Sequence, residues 1–175
     1  MSGPLRGDAA GAPCLSGAVP SRQATLLMAP AVGPDMDYQE VDATREFVAR
    51  LEHGGDWRAQ IEAFAAEEGI ASAFFFGLGA VQDAELAFYD QDTKEYDSIV
   101  FEEPLEVVPA VGNVSTLDGE PFAHTHVALS RPDGTTVAGH LDSATVFAGE
   151  LYLRAFDADL VRERDPVTDL DLWNL

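Results

Sequence analysis

The sequence predicts an α+β fold, with a mostly antiparallel β-sheet and one main helix in a single domain. Two observations support this fold class. Between residues 44 and 156, short apolar or alternating runs are separated by Gly, Pro and Asp turn signals, as expected for strands. One segment, from Trp57 to Glu68, instead has apolar residues at helical spacing. A chain of 175 residues with 46% hydrophobic residues is long enough for one such globular domain.

The first 35 residues differ in composition from the rest of the chain. Residues 1–35 are rich in Gly, Ala, Pro and Ser and have no periodicity, which predicts a disordered N-terminal extension. The predicted domain covers 36–175, with its core at about 44–156. The extension has two arginines and two aspartates, so the net charge of −21 belongs to residues 36–175. Met36 is therefore a candidate start of the protein; the alternative is a flexible tail that binds a partner.

The charge balance predicts a strongly acidic surface. The chain has 31 acidic residues against 10 basic ones, and Lys94 is its single lysine. Such a surface repels the phosphate backbone of nucleic acids. It suits a halophilic organism, in which high salt screens the self-repulsion; the alternative is an ordinary acidic protein. The sequence has no signal peptide and no apolar run long enough to span a membrane, so we expect a cytoplasmic protein without membrane contact.

The first strand and the helix have clear boundaries in the sequence. Alternating apolar residues predict a strand from Thr44 to Leu51. Asp56 is a suitable N-cap for the helix that begins at Trp57, and Gly69 is a suitable C-terminal stop.

The remaining strands are shorter and are separated by turns. A turn at Gly77-Leu78-Gly79 is expected between two of them, since a phosphate-binding loop would be followed by a helix rather than a strand. The acidic tail from Asp157 ends in Leu172-Trp173, which we expect to dock on the core or on a partner. Outside the histidine hairpin, the predicted strands are Ile70–Phe76, Val81–Tyr89, Tyr96–Phe101, Leu105–Val108, Val111–Thr116 and Ala144–Phe156.

A predicted hairpin between Gly119 and Leu141 contains three of the four histidines in the chain. His124 and His126 share one strand face because side chains alternate. Pro132-Asp133-Gly134 has the pattern of a three-residue hairpin loop with glycine in the left-handed region. With that loop, His126 lies opposite His140 and His124 lies opposite Asp142. A loop one residue longer or shorter would move His140 to the other face.

Three converging imidazoles predict a site for a divalent metal. Neutral imidazole is the commonest protein ligand for such ions, and zinc is the first candidate; iron, nickel and cobalt have similar ligand preferences. Asp142 could be a weak fourth ligand or an acceptor that orients a histidine ring, and Glu120 or Glu150 could act as a general base on a metal-bound water. The alternative is a half-buried polar face with satisfied hydrogen bonds. The fourth histidine, His53, lies in a loop and is expected to be a surface residue.

Several other function classes lack their motifs in this sequence. No Gly-x-Ser-x-Gly element, Cys-x-x-Cys pair or basic patch is present, and Cys14 is the only cysteine. A serine hydrolase, a redox dithiol and an ordinary DNA-binding module are therefore disfavoured. The motifs assign no reaction, so whether the protein is an enzyme stays open.

The same hairpin resembles the plants-and-prokaryotes-conserved (PPC) domain. The family pattern is Pro-Phe-x-His-x-His, a Leu, a short turn, then Gly-His-Leu and a Glu on the next strand. The matching residues here are Pro121-Phe122, His124, His126, Leu129, Gly139-His140-Leu141 and Glu150. The similarity extends to 50–56, to Gly77-Leu78-Gly79-Ala80, to Tyr89-Asp90 and to Lys94-Glu95-Tyr96. Ala138 stands where many members have glycine.

This resemblance implies a stand-alone prokaryotic or archaeal member with one helix packed on an antiparallel sheet, assembled as a homotrimer. Some prokaryotic members hold a metal at the matching histidines, and others are labelled DNA-binding by similarity. Plant members carry an AT-hook beside the domain, and no Arg-Gly-Arg-Pro hook occurs here. Two functions are therefore predicted: a trimeric metal-binding protein or, alternatively, a DNA-binding or DNA-associated regulatory protein.

Overall fold

A computed structural model describes residues 36–175 of the chain. The predicted disorder of residues 1–35 lies outside the described residues. The predicted α+β class, with one helix and an antiparallel sheet, is confirmed. The helix is α1 (Trp57–Glu68), and the strands in chain order are β1 (Ala43–Leu51), β2 (Ala73–Asp90), β3 (Glu95–Phe101), β4 (Leu105–Leu117), β5 (Glu120–Ser130), β6 (Thr136–Phe156), β7 (Arg162–Arg164) and β8 (Asp171–Trp173).

Six strands form one antiparallel sheet in the order β1-β6-β5-β4-β2-β3. Strand β2 also pairs with β6, so β2, β4, β5 and β6 close a circuit in which each strand has two neighbours. One face of these strands points into the apolar core, and the other points outward. On β5, Ala123, Thr125 and Val127 are buried in the core, and the alternating histidines lie on the outer face.

The predicted turn at Gly77-Leu78-Gly79 is wrong, because these residues lie within strand β2. The chain continues through these residues as a single strand, with a register shift against β4 between Gly77 and Gly79. The shift arises where β6 comes very close. At Gly79, which has φ +147°, any β-carbon would overlap the backbone carbonyl of Ala148. The two glycines therefore allow a bulge and a close strand contact rather than a chain reversal.

Strands β4 and β6 are also longer than predicted. The two short strands expected at 105–108 and 111–116 are one strand, with a register shift between Val107 and Ala110. Pro109 lies in that shift, where a residue without an N–H does not interrupt the hydrogen-bond ladder. The second strand of the histidine hairpin continues directly into the predicted strand at 144–156, which together form β6.

Helix α1 begins and ends at the predicted residues. The Asp56 carboxylate accepts a hydrogen bond from the Ala59 N–H (2.8 Å), a cap that contributes about 1 kcal/mol. Gly69 closes the helix in the left-handed region, with φ +62°. Trp57, Ile61 and Ala65 form its buried face and pack into the core. Among residues 36–175, no helix has the length and apolar character needed to span a membrane.

The acidic tail docks on the domain beside β4, the first of the two alternatives predicted for it. The Thr116 N–H donates to the Leu160 carbonyl (2.9 Å), and Val161 forms an isolated bridge with Thr116. Strands β7 and β8 then pair as a small hairpin. This docking inserts Arg162 into the domain, where it is buried.

Candidate metal centre

The hairpin loop sets the register that brings the histidines together. The Arg131 N–H donates to the Thr135 carbonyl (2.9 Å), and Gly134 has φ +84°, as the predicted three-residue loop requires. The predicted pairing of His126 with His140 is confirmed. The pairing of β5 with β6 ends at that residue pair and does not reach His124 and Asp142. On its other side, β5 places His124 next to Asn113 and His126 next to Val111 on β4.

The three histidines converge on the outer face of β5 and β6. One ring nitrogen from each of His124, His126 and His140 lies within 4.8 Å of the others. The ring centroids of His124 and His140 are 5.0 Å apart, and His126 lies edge-on to both. In a tetrahedral zinc site with Zn–N bonds of about 2.0–2.1 Å, nitrogens lie about 3.3 Å apart. Small side-chain rotations would therefore bring these nitrogens to ligand spacing.

Arg58 flanks the cluster from the first turn of α1. Its guanidinium donates to the carbonyl of Asp142 (3.1 Å) and to the Glu62 carboxylate (3.3 Å), and it lies 3.6 Å from the Asp142 carboxylate. It also stacks 5.0 Å from the centroid of the Phe122 ring. Two carboxylates therefore neutralise this cation.

Arg162 flanks the cluster from the docked tail. Its Nε donates to the Ser115 hydroxyl (2.7 Å), and its Nη1 donates to the Asp171 carbonyl (2.7 Å). Its Nη2 donates to the Asn113 side-chain oxygen (2.9 Å) and to His124 Nδ1 (3.2 Å). These contacts fix the guanidinium beside the histidine ring.

Burial and the two guanidinium groups keep two of the histidines neutral. Burial, followed by the charge of Arg162, lowers the pKa of His124 to about 3. Burial, followed by the charge of Arg58, lowers the pKa of His140 to about 4. Both rings are therefore unprotonated at neutral pH, the state in which imidazole binds a metal.

The hydrogen bond from Arg162 also determines the His124 tautomer. A neutral imidazole carries one proton, so with Nδ1 as the acceptor the proton is on Nε2. A metal that binds Nδ1 takes the lone pair that accepts this hydrogen bond. A metal that binds Nε2 requires the proton to move to Nδ1. Either way, coordination by His124 ends its hydrogen bond with Arg162.

Of the three carboxylates predicted to lie near the metal, only Asp142 lies at the histidine cavity, where its partner is Arg58. Glu120 is exposed at the start of β5, opposite Leu117, and does not line the cavity. Glu150 pairs with Arg50 and Leu78 and lines a different groove. The sequence places Glu150 on the strand that follows the histidine hairpin. That strand is the far part of β6, which is long enough to carry Glu150 to a distant part of the sheet.

The fourth histidine lies outside the cluster, as the sequence suggests. His53 is exposed in the loop before α1, and its Nδ1 donates to the carbonyl of Phe147 (2.8 Å).

A cavity of about 960 Å³ opens over the three histidines. Besides the histidines, its lining combines the aromatic rings of Phe122, Tyr89 and Tyr96 with Arg58, Arg162 and Arg164. Sequence reasoning missed Arg58 and Arg162, the two arginines that flank the histidines, as site residues. Arg58 directly follows the buried Trp57, so its position on the helix was predictable. The element that it faces was not predictable. Arg162 lies in a tail segment without periodicity, and no local signal places it beside His124.

Comparison with known proteins relates this chain to a family. A family model of the Plants and Prokaryotes Conserved domain, abbreviated PCC or PPC, matches residues 38–157. No match was found among curated proteins.

Solved structures similar to this chain come from archaea and bacteria. The metal-containing protein of Archaeoglobus fulgidus is 40% identical over 80% of this chain and 100% of its own, with a TM-score of 0.77. A plant- and prokaryote-conserved protein of Pyrococcus horikoshii is 30% identical over 80% of this chain and 98% of its own, with a TM-score of 0.76. A candidate DNA-binding protein of Bacteroides thetaiotaomicron is 27% identical over 77% and 96%, with a TM-score of 0.70. The chain therefore belongs to the plants-and-prokaryotes-conserved domain family.

Proposed function

We propose that the protein binds one divalent metal ion, zinc in the first instance, through His124, His126 and His140. The observation that carries this proposal is the convergence of three ring nitrogens within 4.8 Å on one sheet face. Burial keeps His124 and His140 neutral, with pKa values of about 3 and 4, so two ligands need no deprotonation at neutral pH. The metal-containing protein of Archaeoglobus fulgidus, 40% identical to this chain, supports the same interpretation.

The donor set favours zinc among divalent ions. Three imidazoles and one open position are typical of zinc sites that accept a ligand from outside the protein. A bound zinc ion would supply a Lewis-acidic centre for a polar ligand in the cavity. No reaction is assigned.

Elemental analysis of untagged protein tests the proposal. We expect about one zinc ion per chain, and loss of that zinc in His126→Ala, because two histidines hold an ion far less tightly than three. His53→Ala is a matched control, since it removes an exposed imidazole outside the cluster. Zinc that is substoichiometric and unchanged by His126→Ala would contradict the metal site.

The assembly that we propose is a homotrimer formed through an apolar surface on the outer face of β1, β6 and β2. Val48 and Phe76 have 86% and 50% of their surface exposed. Together with Leu78, Pro109 and Tyr152 they line a groove of about 560 Å³. An apolar surface of this kind on a highly charged protein is typical of a protein–protein contact. The trimeric state itself comes from the family resemblance.

DNA binding is the alternative function, because similar proteins of 27% identity are named as candidate DNA-binding proteins. The net charge of −21 opposes it, since DNA affinity depends on neutralising phosphates with Lys and Arg. A fluorescence titration of labelled duplex DNA at low and at high potassium chloride separates the two. Saturable binding that His126→Ala leaves intact would favour the alternative; no binding at either salt concentration would exclude it.

The acidic composition supports one further proposal, that the protein works in a high-salt cytoplasm. Salt would screen the repulsion among its 31 acidic side chains.

A further inference from the structure

Among residues 36–175, Arg162 is a buried cation with no carboxylate within 4.0 Å. Only 8% of the residue is exposed, and it packs between the rings of Phe122 and Trp173. Each of its four hydrogen bonds goes to a neutral acceptor: a hydroxyl, a backbone carbonyl, an amide oxygen and an imidazole nitrogen. The carboxylate of Asp171, whose carbonyl it contacts, binds to Arg164 instead.

The other arginines show that this arrangement is unusual for the chain. Within residues 36–175 there are seven arginines. Of the two that have no carboxylate within 4.0 Å, Arg50 is exposed to water and Arg162 is not. A buried charge is normally paired, and this chain has 31 acidic residues from which a partner could have come. The five arginines with a carboxylate within that distance are Arg45, Arg58, Arg131, Arg154 and Arg164.

The counter-charge can come from the cavity. Arg162 lines the same space of about 960 Å³ as the three histidines, a size typical of small-molecule sites. Of the acidic residues that line it, Asp142 and Asp171 pair with Arg58 and Arg164. The third, Glu85, is not within 4.0 Å of any arginine in the described part of the chain. An anion that enters the cavity therefore meets one guanidinium without a carboxylate within 4.0 Å, that of Arg162, together with the carboxylate of Glu85.

Coordination of a metal would make Arg162 more available to such an anion. The bond from its Nη2 to His124 Nδ1 cannot persist when a neutral His124 is a ligand, as argued above. One Nη2–H then loses its acceptor beside the histidine cluster. A buried donor left without a partner favours any ligand that supplies an acceptor.

We propose that Arg162 anchors the carboxylate of a small organic acid, and that the metal at the three histidines holds the same ligand. This inference rests on the proposed metal site and adds the class of ligand. The planar guanidinium matches a carboxylate in shape and charge, and its hydrogen bonds to a carboxylate are stronger than those to neutral acceptors. Phe122, which stacks on both arginines, supplies an apolar wall for the carbon skeleton.

A nucleic-acid phosphate is a poorer ligand for this group. Arg162 lies in the tail hairpin with only 8% of its surface exposed, so a duplex backbone has little access to its guanidinium. The surface around the cavity belongs to a chain of net charge −21, which repels a polyanion far more than a single carboxylate.

Calorimetric titration of the zinc-loaded full chain with sodium glycolate tests the inference. Glycolamide serves as the uncharged analogue, and inorganic phosphate serves as a second anion. We expect glycolate to bind and glycolamide not to bind. Arg162→Lys should weaken glycolate binding by about tenfold, because lysine keeps the charge but loses the fork, and Arg162→Gln should weaken it more. Arg154→Gln removes an exposed arginine elsewhere and should bind glycolate like the wild type.

Zinc affinity, measured by competition with a chelator, separates the two proposals. Linkage requires glycolate to tighten zinc binding by the same factor by which zinc tightens glycolate binding, and Arg162→Gln should reduce that factor. If zinc does not bind to the wild type, both proposals fail. If zinc binds and glycolate does not, only the present inference fails. It also fails alone if Arg162→Lys and Arg162→Gln bind glycolate as tightly as the wild type. Coupling with phosphate alone would overturn the assignment to a carboxylate.

A measurement on the wild type covers the case in which the Arg162 variants do not fold. We expect a crystal structure of the zinc-loaded protein with glycolate to show a carboxylate oxygen at hydrogen-bonding distance from an Arg162 nitrogen. Glycolate bound to the zinc but turned away from Arg162 would overturn the inference.

Discussion

One row of cross-strand neighbours connects an apolar surface to the histidine cavity. Val48 on β1 pairs with Tyr152 on β6, which pairs with Phe76 on β2. Phe76 pairs with Val111 on β4, which pairs with His126 on β5 and so leads to His140. All of these side chains lie on the same outer face, because directly paired residues share a face.

The two ends of this row differ in what covers them. At the histidine end, α1 contributes Arg58 and the tail contributes Arg162, and these two groups turn a sheet face into a cavity. At the Val48 end, the described part of the chain places nothing over the apolar residues, and Val48 is 86% exposed. The sheet therefore supplies the residues at both ends, whereas the segment packed on it decides between a ligand site and an association surface.

The largest expected effect is the loss of metal from the histidine end. His126→Ala should reduce zinc affinity by more than about 100-fold, since even the loss of a residue that only hydrogen-bonds to a metal ligand costs about 10–100-fold. The same substitution should leave the oligomeric state unchanged, because His126 is outside the apolar groove. Chelator competition and light scattering on the same sample measure both. A monomeric His126→Ala protein would contradict the expectation that the metal site and the association surface are independent.

The reciprocal change acts on the apolar end. We expect the wild type to have about three times the monomer mass of 18.8 kDa by light scattering. Phe76→Glu should yield monomers, because three charged side chains would be buried at the proposed interface. Its zinc content should stay at the wild-type level.

Val167→Glu provides the matched control for Phe76→Glu. It introduces the same charge at an exposed apolar position in the tail, 76% exposed and outside the groove. If this variant dissociates as Phe76→Glu does, repulsion rather than the groove explains the change.

A third expectation concerns the metal-free protein and pH. The folded-state pKa values of His124 and His140, about 3 and 4, lie below the ordinary value of 6.5. The unfolded chain therefore binds more protons than the folded one between these limits, and stability rises with pH there. Stability due to these groups is fully present above about pH 6.5 and is lost progressively as the pH falls toward 4 and 3.

Thermal unfolding of metal-free protein between neutral and acid pH measures this dependence. In His124→Gln/His140→Gln the decline between neutral pH and about pH 4 should be shallower, because two titrating groups are absent. An equally steep decline in the double variant would assign it to other groups.

Salt should have the smallest effect on stability, and this effect should not depend on one particular site. Potassium chloride should raise the melting temperature by screening the acidic surface, with a gain spread over many side chains. The gain should be similar in His126→Ala and Phe76→Glu, since neither substitution changes the overall acidic balance substantially. A melting temperature that does not depend on salt would contradict the proposed adaptation to a high-salt cytoplasm.

Much of the histidine hairpin was predictable because its determinants are local. Pro132, Asp133 and Gly134 specify the loop, the loop specifies the register, and the register brings His126 opposite His140. The helix was equally predictable, because Asp56 and Gly69 act within one turn of its ends. The continuous strand through Gly77 and Gly79 was not predictable, because the reason for those glycines is the distant backbone at Ala148.

The sequence by itself thus determined the fold class, the family and the three candidate ligands, since periodicity, caps and turns act over a few residues. The tertiary structure alone decided the surroundings of those ligands. It placed Glu150 in a different part of the sheet, and it brought Arg58 from the helix and Arg162 from the tail against the ring of Phe122. The physical reason is that burial, and with it the pKa of His124 and the unpaired charge of Arg162, depends on contacts between segments far apart in the chain.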